Sequence, residues 1–284
     1  MLQKFFKYHG AGNDFLLADN REGLLSLSPD QVRHLCDRHT GFGADGVMLL
    51  ERSESQDFRM VFYNPDGSGG MMCGNGGRCM VAFAAELGVV SGQFPIVFDA
   101  PDGVHTAVVQ TVGKDRPWSI RLRMNDVGGV VGVPEEEAFF LDTGTRHLVR
   151  FVSGLEDYPV LSEGRRLRSL DRFAPEGVNV DFVELHPVPE LAEGVEGPVL
   201  RVRTFEKGVE DETLACGTGI VASAVAAYCH DSSTGTSADG RVTCRVRAAI
   251  ATLSVDFLPA KGTGATDIWL AGPAEFIGTV ECFL

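Results

Sequence analysis

Two matching segments, each a cysteine followed by closely spaced glycines and an apolar run, constrain the fold of this chain more than any other feature. Residues Cys73–Gly77 read CGNGG, and residues Cys216–Gly219 read CGTG. The runs that follow, Gly77–Leu87 and Gly219–Cys229, are rich in Ala and Val and contain little charge. A helix that is apolar on every face is buried, so the sequence predicts one central helix in each half of the chain.

Strand-like segments dominate the remaining sequence. They are β-branched, or alternate apolar with polar residues, between Gly, Pro, Asn and Asp. These segments are Phe58–Tyr63, Pro95–Phe98, Val104–Thr111, Ser119–Met124, Phe139–Leu141, Val178–Glu184, Val199–Thr204, Val242–Val246, Thr252–Phe257 and Ile268–Leu270. Two further helices are predicted over Asp30–Arg38, with Ser28 as N-cap, and over Arg165–Phe173. The sequence therefore predicts an α+β protein of two similar halves, each with a cysteine at the entry to its buried helix.

Charge and composition exclude several classes of protein. The net charge is −14 and no dense Lys or Arg tract occurs, which argues against a protein that binds nucleic-acid phosphates. No apolar segment approaches the length of a membrane span, and the N-terminus lacks the pattern of a secretory signal. We therefore expect a cytoplasmic protein without nucleic-acid or membrane partners.

The seven cysteines predict neither a disulfide framework nor a metal site. Their number is odd, no CxxC pair occurs, and no Cys/His cluster has zinc-ligand spacing. Free cysteines are commonly small buried apolar residues. We expect that role for the five that no glycine follows, Cys36, Cys79, Cys229, Cys244 and Cys282.

The other two cysteines precede the predicted central helices. A helix N-terminus offers unpaired N–H groups and a positive dipole end, and glycines leave these donors open to a ligand. Such a site binds a carboxylate or phosphate and favours the thiolate of an adjacent cysteine, lowering its pKa. One Cys-Gly-x-Gly segment is also compatible with a simple tight turn, whereas two copies in matched halves predict two thiols facing one anion.

Two thiols beside one carboxylate suit the inversion of the carbon next to that carboxylate. A base must remove the proton from one face, and an acid must return a proton to the other. Two similar groups on opposite faces can exchange these roles, provided that their pKa values lie near the working pH. The developing negative charge spreads onto the carboxylate, where helix N-termini stabilise it.

At these segments the chain resembles the diaminopimelate epimerase family, whose members interconvert LL- and meso-2,6-diaminopimelate without pyridoxal phosphate. The matching segments are His9–Phe15, Arg38–Gly46, Asn64–Ser68, Met72–Cys79, Gly177–Asn179, Phe205–Gly208 and Glu212–Gly219. The two cysteine segments are typical of a wider superfamily. Asn75 points to this member of it, since proline racemase-like relatives usually carry His there.

The resemblance implies a fold and a set of roles. Each half would be an antiparallel barrel-like sheet around its central helix, with the active site in the cleft between the halves. The halves would comprise residues 1–116 with 274–284, carrying Cys73, and residues 117–273, carrying Cys216. The two cysteines would alternate as acid and base, with no cofactor and no metal. The implied partner is a small amino-acid substrate, bound by a monomer or a homodimer.

The resemblance also implies substrate contacts. Backbone N–H groups around Gly74, Asn75, Gly217 and Thr218 would bind the carboxylate at the reacting carbon, and the remaining contacts would come from Asn13, Asn64, Asn179, Glu206 and Lys207. Glu206 and His147 would adjust the pKa values of the thiols. Judged from the residues alone, Asn13 and Asn64 are equally typical of turns. His147 in a strand is more often structural, and Glu206 beside Lys207 is compatible with an exposed ion pair of little energetic weight.

The chain departs from the family pattern at three positions. Lys207 stands where Arg is common, which keeps the charge but loses the bidentate grip on a carboxylate. Thr145 stands where many members have Asn, so the ligand role of that Asn is not assigned to it; neighbouring Arg146 is either a replacement cation or a solvent-facing strand residue. Gly46 replaces a Gln found in some members. These differences concern the substrate more than the reaction.

Three alternatives stay open on the sequence alone. The first is a proline or hydroxyproline epimerase, which would not need the distal groups Asn64, Asn179, Glu206 and Lys207. The second is a cysteine hydrolase with His147 as base, which needs only one essential cysteine. The third is a non-catalytic anion-binding protein in which both cysteines are packing residues.

Overall fold

The computed structural model describes residues 2–70, 72–91, 95–112, 117–185, 199–230 and 237–284. The chain forms two compact units, unit 1 being Met1–Leu122 with Gly272–Leu284 and unit 2 being Arg123–Ala271. The sequence-based division ended its first half at residue 116, which lies outside the described residues.

Unit 1 is built around a closed sheet. Its elements are β1 (Leu2–Gly10), β2 (Asn13–Asp19), α1 (Pro29–Cys36), β3 (Val47–Glu51), β4 (Phe58–Tyr63), α2 (Gly74–Glu86), β5 (Ile96–Ala100), β6 (Gly103–Thr111), β7 (Trp118–Arg123) and the end of β16 (Ala265–Phe283). Strands β1 to β7 are neighbours in chain order. Strand β16 lies beside β7 and also pairs with β1, so the eight strands form a closed barrel.

Unit 2 contains a second, longer run of strands. Its elements are β8 (Val131–Val133), β9 (Ala138–Asp142), β10 (Arg146–Phe151), α3 (Val160–Arg168), β11 (Asn179–Leu185), β12 (Val199–Glu206), β13 (Asp211–Thr213), α4 (Gly217–His230), β14 (Val242–Arg247), β15 (Thr252–Pro259) and the start of β16. The strand order is β8-β9-β10-β11-β12-β14-β15-β16, and β13 pairs with β12.

Both units repeat one plan, which explains why each has a central helix. Most strand pairs are antiparallel, but β2–β3 and β4–β5 in unit 1 and β10–β11 and β12–β14 in unit 2 are parallel. A parallel pair needs a crossover connection, and α1, α2, α3 and α4 provide the four crossovers in that order. The α+β fold of two similar halves is confirmed.

The second crossover helix of each unit is buried along its length. In α2 the buried residues run without interruption from Asn75 to Ala84, and in α4 from Gly219 to Ala227. Helix α2 packs against β1, β2, β3 and β6, and α4 packs against strands from β9 to β15. This burial on every face is what the uncharged sequences of both helices predicted.

The central helices begin earlier than the sequence predicted. Glycines read as a loop instead form the first helical turn, so α2 begins at Gly74 and α4 at Gly217. The N–H of Gly77 donates to Cys73 O at 2.7 Å, and the N–H of Ile220 donates to Cys216 O at 2.9 Å. Each cysteine therefore directly precedes a helix.

Of the two shorter helices, one was predicted well, and the other lies earlier in the chain than predicted. Helix α1 follows Ser28, which forms a complete capping box with Gln31. The helix predicted over Arg165–Phe173 is instead α3, Val160–Arg168, with a separate 3₁₀ turn at Asp171–Phe173. The prediction started too late because it passed over Pro159, whose fixed φ suits a helix N-terminus. No helix within the described residues is long and apolar enough to cross a membrane.

Gly164 allows α3 to pack closely on β12, which generates a stability prediction. A Cβ at this buried position would lie 2.4 Å from Phe205 Cβ, so Gly164→Ala forces the helix away from the strand. We expect the free energy of unfolding to fall by about 1–3 kcal/mol, although Ala gains about 1 kcal/mol of helix propensity. Urea denaturation measures the change.

The matched control is Arg165→Ala on the exposed side of the same helix, with an expected change within about 0.5 kcal/mol. Equal stability of Gly164→Ala and the unmodified protein would contradict the packing argument.

Candidate active site

Cys73 occupies the N-cap position of α2 without capping it. Its backbone is extended (φ −105°, ψ 128°), and its side chain makes no capping hydrogen bond. The residue is half-buried. A Cβ added at Gly74 would meet no protein atom within 4 Å, so packing does not require a glycine there. The first turn of α2 is open beside the thiol, as a ligand-binding helix N-terminus must be.

Two buried side chains extend from this turn to Asn13. The Arg78 Nη2 donates to Asn75 Oδ1 at 2.5 Å, and the Asn75 Nδ2 donates to Asn13 Oδ1 at 2.5 Å. The Asn13 Nδ2 donates to Asp45 Oδ2 at 3.1 Å. We call Cys73, Gly74 and these four residues the Cys73 cluster. Asn13 thus belongs to it, as expected, whereas Arg78 and Asp45 had no predicted role.

Ion pairs hold the Asp45 end of this cluster. The Arg38 Nη2 lies 2.7 Å from both Asp14 Oδ1 and Asp45 Oδ1, and the Lys7 Nζ lies 2.8 Å from Asp14 Oδ2. Burial alone would raise the pKa of Asp14, but hydrogen bonds from Arg38 and Lys7 hold that pKa below its usual value. The Asp14 carboxylate therefore stays charged at neutral pH, and the Arg38 ion pairs hold Asp45 beside Asn13.

Asn64 forms a turn after β4, which was one of its two expected roles. Its Nδ2 donates to Ser68 Oγ at 3.0 Å and to Gly69 O at 3.3 Å. Its Oδ1 accepts no hydrogen bond from the described residues. The turn therefore uses the donor end of the side chain and leaves the acceptor end for a ligand.

A chain of hydrogen bonds leads from Cys216 into the interior of unit 2. The Cys216 Sγ lies 3.4 Å from Thr218 Oγ1, which lies 3.0 Å from His147 Nε2. The His147 Nδ1 lies 2.7 Å from Asp181 Oδ2. We call Cys216, Thr218, His147 and Asp181 the Cys216 cluster. Within it His147 reaches the thiol through the Thr218 hydroxyl.

Asp181 fixes the orientation of His147. Its other oxygen, Oδ1, accepts the Thr204 hydroxyl at 2.7 Å, and both Asp181 and His147 are fully buried. Because a carboxylate only accepts, Nδ1 donates to Asp181, and this bond turns Nε2 towards Thr218. A Cβ at Gly219 would lie 2.3 Å from Asp181 Oδ1, so this glycine is needed for α4 to approach the carboxylate.

Two further residues contact Nε2 of His147. The Thr145 hydroxyl lies 2.9 Å from Nε2 and 3.1 Å from Thr218 Oγ1, so Thr145 joins the cluster although no role was assigned to it. The Asn179 Nδ2 lies 3.3 Å from Nε2, and its Oδ1 accepts the backbone N–H of Lys207 at 2.8 Å. Asn179 thereby connects His147 to the turn that carries Lys207.

The electrostatics of Cys216 are opposite to the expectation from its helix. Burial, and after it the charges of Glu206 and Asp181, raise the pKa of the Cys216 thiol well above its usual value. The Thr218 hydroxyl and the Gly219 N–H lower it by less. The prediction of a lowered pKa was therefore wrong for Cys216 in the unliganded protein. Burial also raises the pKa of Glu206.

Two of the sequence departures have structural explanations. A Cβ at Gly46 would lie 2.3 Å from Phe62 Cε2, so the Phe62 ring occupies the place of a longer side chain. The Arg146 Nη1 donates to Glu176 Oε2 at 2.9 Å and to Phe173 O at 3.3 Å. Its guanidinium is thus held in an ion pair with Glu176. No group of three or more metal-binding side chains occurs among the described residues.

A family model described as diaminopimelate epimerase matches residues 5–126 and 139–255. The chain belongs to the diaminopimelate epimerase family. A diaminopimelate epimerase of Flavobacterium psychrophilum is 38% identical over 278 residues, covering 96% of this chain and 98% of the relative. The corresponding protein of Chlorobaculum tepidum is 44% identical over 222 residues, covering 77% and 81%.

The fold of this diaminopimelate epimerase family member extends beyond the family. A solved structure of a phenazine biosynthesis protein of the PhzF family from Bacillus anthracis matches it with a TM-score of 0.74. The sequences are 15% identical, and the match covers 100% of both chains. At that identity the likeness concerns the fold alone.

The raised pKa of Cys216 predicts slow alkylation at neutral pH. In a Cys73→Ala background, we expect iodoacetamide to modify Cys216 with a half-maximal rate above pH 9, because the thiolate is the reactive form. Glu206→Gln removes a neighbouring carboxylate and should shift this profile to lower pH. Peptide mass spectrometry separates Cys216 from the other cysteines.

The control for that shift is Glu54→Gln, an exposed carboxylate in unit 1, which should leave the profile unchanged. A half-maximal rate near pH 7 in the starting variant would show that the buried environment does not govern this thiol.

Proposed function

We propose that this chain interconverts LL- and meso-diaminopimelate, with Cys73 and Cys216 as the acid/base pair and without pyridoxal phosphate. The observation that carries the proposal is the placement of the two cysteines. Each directly precedes the first turn of a buried crossover helix, and the two helices occupy equivalent places in two units of the same plan. Membership of the family supports the substrate.

In the proposed reaction the proton crosses from one thiol to the other by way of the substrate. The Cys73 thiolate removes the α-proton, and the electron pair of the C–H bond passes into the carboxylate group. The thiol of Cys216 then gives its proton to the opposite face of the same carbon. Cys73 ends as a thiol and Cys216 as a thiolate, so the reverse reaction uses the same groups in exchanged roles.

The surroundings of Cys216 support its assignment as the acid in this direction. Its raised pKa keeps the proton on sulfur in the unliganded protein. When the proton leaves, the Thr218 hydroxyl can turn towards the new thiolate and donate a hydrogen bond to it. His147 and Glu206 are therefore proposed to adjust the Cys216 pKa, His147 through Thr218 rather than by direct contact.

Backbone donors are proposed to bind the reacting carboxylate. They would be the N–H groups in the first turns of α2 and α4, at Gly74 and Asn75 and at Gly217 and Thr218. A helix N-terminus directs such N–H groups outwards along its axis, where they would stabilise the negative charge that develops on the carboxylate.

The remaining contacts would bind the other end of the substrate. Asn13 offers an N–H beyond the one given to Asp45, Asn64 offers Oδ1, and Asn179 supports the turn that carries Lys207. The Lys207 ammonium makes no hydrogen bond or ion pair with the described residues and is proposed to bind the distal carboxylate. Glu206 is proposed to accept from a substrate ammonium.

The alternatives differ from this proposal in what they require. A proline or hydroxyproline epimerase would leave the Lys207 ammonium and the Asn64 acceptor unused. A cysteine hydrolase would need a histidine directly against its nucleophile, whereas Thr218 stands between Cys216 and His147. We further propose a cytoplasmic enzyme, either monomeric or homodimeric, that acts in lysine and peptidoglycan precursor synthesis.

Isotope exchange tests the reaction directly. Purified protein incubated with LL-diaminopimelate in D2O, without added cofactor, should form the meso isomer and incorporate deuterium at the inverted α-carbon. NMR and chiral chromatography follow both changes. Cys73→Ala and Cys216→Ala should each abolish epimerisation, because neither thiol alone can serve both faces.

Normal epimerisation by either single variant would falsify the two-base mechanism. Turnover of proline or hydroxyproline instead of diaminopimelate would assign the chain to the first alternative. Cys36→Ala, a change at a buried cysteine outside both clusters, is the control for nonspecific damage.

Replacing Lys207 by arginine is expected to strengthen the binding of diaminopimelate. Lys207→Arg restores a planar fork that can bind the distal carboxylate bidentately. We expect KM for diaminopimelate to fall roughly fivefold, equivalent to about 1 kcal/mol, with kcat unchanged because ground state and transition state gain equally. Steady-state kinetics measure both constants.

Lys261→Arg, at an exposed position outside both clusters, should leave KM unchanged. A fall in kcat together with an unchanged KM for Lys207→Arg would place this side chain at the reacting centre instead.

A further inference from the structure

Arg78 is a fully buried cation without a counter-ion. It lies in α2 with 0% exposure. Its Nε donates to Pro273 O at 3.2 Å and its Nη2 to Asn75 Oδ1 at 2.5 Å. Nη1 has no hydrogen-bond partner among the described residues, and no ion pair to Arg78 occurs within them. Such a charge is unfavourable unless an anion is close, and a neutral apolar side chain of the same volume would avoid the cost.

Two cysteines are close enough to Arg78 for their charges to interact with it, first Cys79 and then Cys73. Cys79 is fully buried, and burial raises the pKa of its thiol, whereas Cys73 is half-buried at the start of the helix. Arg78 follows Cys73 by five positions, which corresponds to about 7.5 Å along a helix axis. Side chains on a helix lean towards its N-terminus, and the bond to Asn75 shows that the guanidinium of Arg78 does so. Its charge therefore lies towards the first turn, which Cys73 directly precedes.

Arg78 also determines which way two amides point. A guanidinium only donates, so it holds Asn75 Oδ1 and leaves the Asn75 Nδ2 to donate to Asn13 Oδ1. The carboxylate of Asp45 only accepts, so it holds the Nδ2 of Asn13. A cation at one end and an anion at the other thus fix both amide orientations. The N–H of Asn13 that remains is a donor.

We propose that Arg78 is a positioning residue of the Cys73 cluster, whose buried charge stabilises the Cys73 thiolate and whose hydrogen bond to Asn75 keeps Asn13 presenting a donor. The first role concerns the unliganded protein and is independent of the substrate. The second rests on the proposed function, because the donor is then aimed at a carboxylate of diaminopimelate.

Thiol reactivity tests the first role without substrate. In a Cys216→Ser background, iodoacetamide modification of Cys73 is measured against pH by peptide mass spectrometry, with Arg78, Arg78→Met and Arg78→Lys compared. Loss of a nearby charge shifts a pKa by about one unit or more. We therefore expect Arg78→Met to raise the pH of half-maximal modification by that amount and Arg78→Lys to restore most of the shift.

Two controls separate this effect from general damage. Arg52→Met removes an exposed arginine paired with Glu22 and should leave the modification profile unchanged, although it changes the net charge equally. Circular dichroism establishes that each variant is folded. If Arg78→Met does not fold, Arg78→Lys still decides the second role, and Arg78→Gln replaces Met as the uncharged variant.

Kinetics with diaminopimelate test the second role. Arg78→Lys keeps the charge but loses the guanidinium geometry, so we expect KM to rise by roughly tenfold while the pH dependence of kcat stays near that of the unmodified protein. An unshifted alkylation profile in a folded, uncharged variant would overturn the first role. An unchanged KM in Arg78→Lys would overturn the second. Failure to epimerise diaminopimelate at all would count against the proposed function and leave the alkylation result standing.

Discussion

Helices α2 and α4 have no polar face, so strands must surround each of them. The arrangement of the other elements depends on this burial. Neither α2 nor α4 could expose any side to water without losing the burial of its Ala and Val side chains. Each is therefore a crossover between parallel strands, β4 and β5 or β12 and β14. A helix enclosed in this way can meet a ligand only at an end, and in both units the N-terminal end follows a cysteine.

Because the strands enclose each helix, buried charged residues within a unit have a strong effect on nearby groups. Arg78 and Asp181 are both fully buried, and each belongs to the cluster of side chains at the start of its unit's central helix. Their charges have opposite sign. The cation lies in the helix that follows Cys73, whereas the anion lies against the helix that follows Cys216. Similar backbones therefore give the two thiols different surroundings. This difference suits the proposed acid/base pair, in which one cysteine is a thiol while the other is a thiolate.

The sequence predicted the features that depend on local pattern. The central helices, both cysteines, the cap at Ser28 and the alternating strands are all expressed within short segments, and the resemblance supplied Asn13 and His147. The sequence could not predict the parallel strand pairs, because these depend on contacts between distant segments. Asp181 was missed for the same reason, since a single carboxylate in a strand indicates no function by itself. Its role depends on its contact with His147 from β10. Arg78 had a signal, a lone cation in an apolar helix, but its burial and its missing partner are properties of the fold. The pKa of Cys216 was given the wrong sign because the helix terminus is visible in the sequence, whereas the burial of the thiol, which raises the pKa most, is a property of the fold.

Strand β16 connects the two units through the backbone itself. It pairs first with β15 in unit 2 and then with β1 in unit 1, so the last residues of the chain complete the barrel that the first residues begin. The β1 partners, residues 275–283, follow all of unit 2 in the chain. The barrel of unit 1 can therefore close only after the whole of unit 2 has been synthesised.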